Sequence, residues 1–204
     1  MENKRLIILI AFLLGCENIV YRMDNDYFPL KTTNKWEYED SKANLRIIEV
    51  VGDSTVQGLP SKIVENNFKP EFWYKTKERV RKFIVKTINI DGEDDTLEQI
   101  YRTYYLLPFI KGDSWESNFG ETLEVYGDSI FFTHRIEGKV LDIEDSVSVP
   151  AGTFYEVYKL RIKETFTLND STWIDSVYEW YAPGIGLIKR EDSTQEVLKS
   201  YYIK

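Results

Sequence analysis

Cysteine and histidine are almost absent from this chain. Cys16 is the one cysteine among 204 residues, and His134 is the one histidine. A single thiol excludes an internal disulfide and a cysteine metal cluster, and a zinc site would need several residues of these two types. Acid–base and nucleophilic catalysis usually recruit histidine, and no Gly-x-Ser-x-Gly motif is present. We therefore interpret His134 as a strand histidine that is packed or half-exposed, and we predict no catalytic residues and no metal site.

Positive charge is also in short supply. The chain has 26 Lys and Arg against 34 Asp and Glu, which gives a formal net charge of −8 at pH 7. An acidic domain is repelled by phosphate backbones, so we expect no nucleic-acid partner. No glycine-rich phosphate loop is present, and we expect no cofactor. The basic stretch 75–86 predicts either a solvated strand or a docking patch for an acidic protein, with Arg79, Arg81 and Lys82 as the candidate residues.

The one long apolar run lies at the start of the sequence. Residues 1–5 are charged overall, residues 6–14 are apolar, and Gly15 precedes Cys16. This order is typical of a secretory signal peptide. The apolar run is too short to cross a bilayer as a helix, which takes about 20 residues. The alternative is a short buried N-terminal helix.

The pattern Leu13-Leu14-Gly15-Cys16 resembles the lipobox of bacterial lipoprotein signals. The resemblance implies that residues 1–15 are removed and that the sulfur of Cys16 carries a diacylglycerol. A thiolate is the strongest nucleophile among the standard side chains near neutral pH, which suits this modification. We therefore expect a lipid-anchored protein of the cell envelope, with the lipid on Cys16 as its contact with the membrane.

The remaining chain reads as a tether followed by one domain. Residues 16–26 form the lipidated cysteine and its tether, and residues 27–204 form a β-rich domain. Glu17 differs from the aspartate that keeps lipoproteins on the inner membrane in some enteric bacteria. This favours the outer membrane, on its periplasmic or surface side, over the inner membrane.

Short runs rich in Val, Ile, Thr, Tyr, Phe and Trp alternate with Gly, Asn and Asp turns beyond Tyr27. Such runs are typical of strands joined by hairpins. The helical period is nearly absent, and its best candidate is a short turn at 106–115. We predict a mainly β, single antiparallel domain with little helix, built as a strongly curved sheet, a barrel or a two-sheet sandwich. The predicted strands are 34–39, 44–51, 54–66, 71–76, 79–90, 95–106, 121–126, 129–145, 154–168, 172–182, 186–191 and 196–203.

Four motifs occur in a characteristic order: YFPL at 27–30, NKWEY at 34–38, VPAGTF at 149–154 and YAPGIGLIK at 181–189. Their order resembles a group of uncharacterised bacterial lipoproteins labelled TapB-like, which carry a domain of unknown function. The resemblance implies an antiparallel β domain on the cell envelope and implies no activity. The Pro and Gly residues of the last two motifs are those expected at turns.

Two functions remain open from the sequence. The abundance of aromatic residues, 15% of the chain, favours a non-catalytic domain that binds an apolar ligand or a protein of the envelope. The alternative is a hydrolase of envelope polymers that uses paired carboxylates, which would have to lie within about 10 Å of each other. The candidate ligand-binding residues are Trp36, Tyr38, Trp173, Tyr178, Trp180 and Tyr181.

Overall fold

The computed structural model describes residues 26–90, 92–125 and 128–204. The predicted signal peptide, the lipidation site Cys16 and the tether before residue 26 lie outside the described residues. Within those ranges the chain forms strands and no helix. The strands are β1 (Lys35–Asp40), β2 (Leu45–Val56), β3 (Leu59–Asn66), β4 (Lys69–Lys75), β5 (Arg79–Ile90), β6 (Glu93–Leu106), β7 (Ser114–Val125), β8 (Asp128–Val149), β9 (Gly152–Leu168), β10 (Ser171–Ala182), β11 (Gly186–Glu191) and β12 (Gln195–Tyr202).

All twelve strands belong to one antiparallel sheet, which curves into a nearly closed barrel. Its order is β6-β5-β4-β3-β2-β1-β12-β11-β10-β9-β8-β7. Neighbours in the chain are therefore neighbours in the sheet, except that β1 pairs with β12, for example at Lys35 and Tyr202. The edge strands β6 and β7 meet at a seam. The predicted mainly β antiparallel domain is confirmed, and the barrel is the form that it takes.

Each predicted strand has a counterpart, and two local predictions are wrong. The third predicted strand, 54–66, contains the β2–β3 turn, because Gln57 and Gly58 adopt positive φ angles of 49° and 77°. The helical candidate 106–115 is instead a loop that leads into β7. Gly112 in that loop has a φ of 94°, and its N–H donates to the carbonyl oxygen of Val140. The loop backbone is thus bonded to a neighbouring strand, which leaves it unable to form a helical turn.

The YFPL segment before β1 enters the barrel. Phe28 is 4% exposed, and its ring centroid lies 4.6 Å from that of Tyr105 on β6 and 4.9 Å from that of Tyr181 on β10. The backbone of Asp26 is also fixed, since its carbonyl oxygen accepts a hydrogen bond from the N–H of Gly184. A twelve-stranded sheet encloses more space than its own side chains fill. The N-terminal segment fills much of that space and builds the larger core cluster.

A second core cluster forms where the long β8–β9 hairpin packs against β12. The register of β8 shifts between Val140 and Asp142, and the end of the hairpin reaches β12, where the N–H of Ala151 donates to the carbonyl oxygen of Leu198. Val149 packs against this cluster. The hairpin therefore covers part of the sheet that would otherwise face solvent.

Two side-chain hydrogen bonds join β1 to the segment that follows β10. Trp36 donates from Nε1 to the carbonyl oxygen of Ile185 at 2.7 Å, and the hydroxyl of Tyr38 donates to that of Leu187 at 2.9 Å. Gly186, with a φ of 98°, lets this turn approach the N-terminal segment, because a Cβ there would lie 3.4 Å from the carbonyl oxygen of Tyr27. The NKWEY and YAPGIGLIK motifs are thus in direct contact.

Candidate functional site

Three of the aromatic residues predicted to bind a ligand line an internal cavity of the barrel. Trp36, Tyr38 and Tyr181 are 5%, 1% and 3% exposed, and the cavity has a volume of about 240 Å³. Pockets for small molecules usually measure about 300–1,000 Å³. In addition, the hydroxyl and indole groups of Tyr38 and Trp36 are already bonded to the main chain. These residues support the fold, and the cavity is too small for a lipid.

The other three predicted aromatic residues lie elsewhere on β10. Trp180 is 4% exposed, and its Nε1 donates to Oε1 of Glu144 at 2.8 Å. Trp173 and Tyr178 are 54% and 39% exposed. The structure therefore does not bring the six aromatic candidates together on one surface.

The predicted docking residues are separated by the wall of the barrel. Lys82 points inward, with Nζ 4.3 Å above the ring of Trp73 and 3.9 Å from the carboxylate of Glu71. Arg79 has a side chain that is 38% exposed and pairs with Glu78 at 3.6 Å. Lys82 is thus not part of an external patch, while a docking role for Arg79 and Arg81 stays a prediction.

Carboxylates do gather around the internal cavity, and each is engaged by its neighbours. Glu179 accepts hydrogen bonds from the hydroxyls of Tyr105 at 3.0 Å and Tyr181 at 3.2 Å. Burial, and then the negative charge of Glu179, raise the pKa of both tyrosines well above the usual value. Both therefore stay protonated and act as donors to Glu179.

Glu71, on the opposite wall of the cavity, is also engaged. Its carboxylate accepts hydrogen bonds from Asn66 at 2.9 Å and from Trp73 at 2.8 Å. Burial by itself would raise the pKa of Glu71, but the charge of Lys82 and these two hydrogen bonds hold it below the usual value. Glu71 is thus an ionised, fully partnered group.

A buried charge network closes the seam of the barrel. His134 on β8 is 1% exposed; its Nδ1 lies 2.7 Å from Glu98 on β6, and its Nε2 lies 3.2 Å from Glu164 on β9. Burial opposes a charge on the imidazole, but the hydrogen bonds to Glu164 and Glu98 outweigh it and raise the pKa of His134. The hydroxyl of Tyr104 donates to the other oxygen of Glu164 at 3.0 Å. The imidazole therefore links two carboxylates.

Arg102 completes the closure. Its guanidinium donates to the carboxylate of Glu98, to the carbonyl oxygen of Ser117 on β7, and at 2.9 Å to that of His134 on β8. Trp115 on β7 donates from Nε1 to the carbonyl oxygen of Tyr104 at 2.9 Å. In the described residues, β6 and β7 are not paired with each other through main-chain hydrogen bonds. Side chains thus supply the hydrogen bonds that a further strand pair would make.

An open groove lies at one end of the barrel, with a volume of about 1950 Å³. We call it the end groove. It lies where the β2–β3 turn, the β4–β5 turn, the β6–β7 loop and the N-terminal segment meet. Mouths of β-barrels are frequent ligand sites. Its apolar lining residues are Tyr27, Pro29, Leu30, Pro60, Trp73, Leu107, Pro108, Phe109, Ile110, Ile143 and Tyr158.

The N-terminal segment separates the end groove from the internal cavity. Tyr27, Pro29 and Leu30 line both spaces, and Trp73 does so from β4. Lys75 fixes the segment, since its Nζ donates to the carbonyl oxygen of Phe28 at 2.7 Å and also contacts the carboxylate of Asp26. The segment is therefore the floor of the groove.

The sequence does not reveal the end groove, because its residues come from segments far apart in the chain. The sole local signal is the YFPL motif, whose aromatic and proline residues mark an apolar segment without an obvious partner. The six lysines that line the groove are scattered from Lys31 to Lys204, and only Lys75 and Lys77 fall within the basic stretch 75–86.

Residues 129–202 match the model of the DUF3108-like family. The match covers less than half of the chain and runs from β8 into β12. The resemblance to TapB-like lipoproteins stays a prediction. No curated protein matches the chain.

Two solved structures are similar in fold. One is a protein from Parabacteroides distasonis that is provisionally described as a lipoprotein, with 16% sequence identity and a TM-score of 0.48. The other, from Bacteroides fragilis, is provisionally described as an exported protein with a YmcC-like fold, with 13% identity and a TM-score of 0.48. In both cases the match covers 86% of this chain and 98% of the other. These similarities are too distant to indicate a function.

The described residues offer neither a metal-binding cluster nor a membrane-spanning helix. No group of three or more His, Cys, Asp and Glu side chains there is arranged to hold a metal ion. No helix in those residues has the length and apolar character needed to span a bilayer.

Proposed function

We propose that this protein is a lipid-anchored lipoprotein of the cell envelope whose β domain is non-catalytic and binds an amphiphile in the end groove. The observation that carries the proposal is the groove itself, about 1950 Å³ in volume, with an apolar floor that includes Tyr27, Pro29 and Leu30 at the mouth of the barrel. It exceeds the usual size of a small-molecule pocket and can hold a ligand of lipid size.

The position of the groove relative to the expected anchor supports the proposal. Asp26 lines the groove, and the chain from Cys16 to Asp26 spans at most about 36 Å when fully extended. A lipid on Cys16 would therefore hold the groove close to the membrane surface. Ligands that partition into that membrane would then be present at high local concentration.

The state of the internal carboxylates supports binding over catalysis. Glu71, Glu98 and Glu179 each accept hydrogen bonds from neighbouring side chains, and Glu98 is 1% exposed. A hydrolase that used paired carboxylates would need them in a cleft that admits a substrate. The end groove has Asp26, Asp53 and Glu156 on its lining, but its dominant character is apolar.

Titration with amphiphiles of increasing chain length tests the proposal. We would use the chain from residue 17 to 204, which contains every described residue, and first confirm a cooperative unfolding transition. Each added methylene group that is buried contributes about 0.8 kcal/mol, so the affinity should rise about fourfold per methylene until the groove is full. Lipid extracted from the purified chain should show the same class of ligand by mass spectrometry.

A matched pair of variants tests whether the ligand binds in the end groove. Ile110 lines the groove and is 41% exposed, whereas Ile174 on β10 is 63% exposed and lies outside it. Ile110→Asp should weaken binding at least tenfold, and Ile174→Asp should leave it unchanged. An absence of saturable binding, or an equal effect of the two substitutions, would refute the groove as the ligand site.

A further inference from the structure

The end groove carries positive charge in a protein that is strongly acidic. Its lining includes six lysines and three carboxylates, although the chain as a whole has a net charge of −8. The polar lining therefore reverses the sign of the surrounding surface. Such a local reversal raises the concentration of anions at the site, because a concave surface focuses the field.

Three of these six lysines, Lys31, Lys77 and Lys204, form no ion pair with another described residue. Lys62 pairs with Asp53, Lys111 pairs with Asp142, and Lys75 contacts Asp26. Lys31 and Lys77 are exposed and form no ion pair within the part of the chain that the structure describes. Their charges are available to a ligand that lies on the apolar floor.

We infer that the ligand of the end groove is an amphiphile with an anionic head group. This inference rests on the proposed function, because it adds a head group to the apolar ligand of the same groove. The acyl part lies on the floor beside Leu30 and Ile110. The head group, a phosphate or carboxylate, is held by Lys31 and Lys77 at the rim. The ammonium groups act as donors to its oxygens and offset its charge.

Two lysophospholipids with the same acyl chain test the inference. One has a glycerol phosphate head group and is anionic, and the other has a choline head group and is zwitterionic. Below their micelle concentrations the anionic lipid should bind at least tenfold more tightly. The difference should shrink at high salt, because these lysines are exposed and ionic strength screens them.

Variants with neutral side chains at Lys31 and Lys77 test whether these lysines cause the difference in affinity between the two lipids. The double substitution Lys31→Gln and Lys77→Gln should reduce the affinity for the anionic lipid about tenfold and leave the zwitterionic lipid unchanged. The control is Lys42→Gln with Lys69→Gln, two exposed lysines outside the groove, which should change neither affinity.

The outcomes separate the two proposals. Equal binding of the two lipids would overturn the anionic head group and leave the lipid groove in place. Saturable binding of neither lipid would overturn both proposals. If inorganic phosphate alone binds as tightly as the anionic lipid, the apolar floor contributes nothing, and the lipid-binding function is refuted.

Discussion

His134 and Glu98 face each other across the seam of the barrel, with Nδ1 of the imidazole 2.7 Å from Oε2 of the carboxylate. They lie on β8 and β6, which are not neighbours in the sheet. Both side chains are 1% exposed. Part of the barrel closure is therefore an ion pair, which makes the stability of the fold depend on pH.

We expect the free energy of unfolding to fall as the pH rises above neutrality. The pKa of His134 is raised above 6.5 in the folded state, so its contribution is complete below about 6.5 and is lost as the pH rises through the raised pKa. Burial opposes ionisation of Glu164, but its hydrogen bonds with His134 and Tyr104 hold its pKa below 4.5. Its contribution is therefore present above about 4.5 and is lost at lower pH. Urea unfolding from about pH 3 to pH 8.5 measures both effects.

The variant His134→Gln provides the control for this pH dependence. His134 is the single histidine of the chain, so no other imidazole titrates in this range. The variant should be less stable at pH 6 and should lose the decline between about pH 6.5 and 8.5. An unchanged decline in the variant would show that another group is responsible.

Removal of the Arg102 side chain should destabilise the barrel strongly. Arg102→Met removes the guanidinium donor from Oε1 of Glu98 and from the carbonyl oxygen of His134 in a buried site. Loss of one partner of a buried ion pair costs about 3–5 kcal/mol. Arg161→Met, at an exposed position on β9, should change stability by less than about 0.5 kcal/mol. Similar losses for the two variants would contradict a closing role for Arg102.

Gly138 on β8 should not tolerate a side chain. A Cβ at this position would lie 2.0 Å from the indole ring of Trp115, which is bonded to Tyr104 across the seam. Gly138→Ala should displace the indole and cost about 1–3 kcal/mol. Gly52→Ala is the control, because its Cβ would lie 3.9 Å from the nearest atom, on Ile63. Thermal unfolding of both variants compares them, and equal transition temperatures would show that the indole moves without cost.

The Phe28 ring should contribute as a core residue, although it precedes the first strand. Phe28→Ala empties a space between Tyr105 and Tyr181 and should cost about 3–5 kcal/mol. Phe68→Ala, at a position that is 83% exposed, should change stability by less than about 0.5 kcal/mol. A small loss for Phe28→Ala would mean that the N-terminal segment does not support the barrel.

The strands could be predicted from the sequence because their signals are local. Alternating side chains report which face is buried, and turn residues such as Gly184 and Asn169 report where the chain reverses. The loop at 106–115 was misread because its shape depends on bonds to β8, which no local pattern encodes.

The sequence by itself determined a β-rich antiparallel domain, its twelve strands and the aromatic material of its core. Only the tertiary structure decided that β1 pairs with β12, that Glu98, Arg102 and His134 meet at the seam, and that Lys31 and Lys77 share one groove. The physical reason is that strand formation follows from the residues within a strand. Contacts across a closed sheet depend on register and curvature, which are set by the packing free energy of the whole domain.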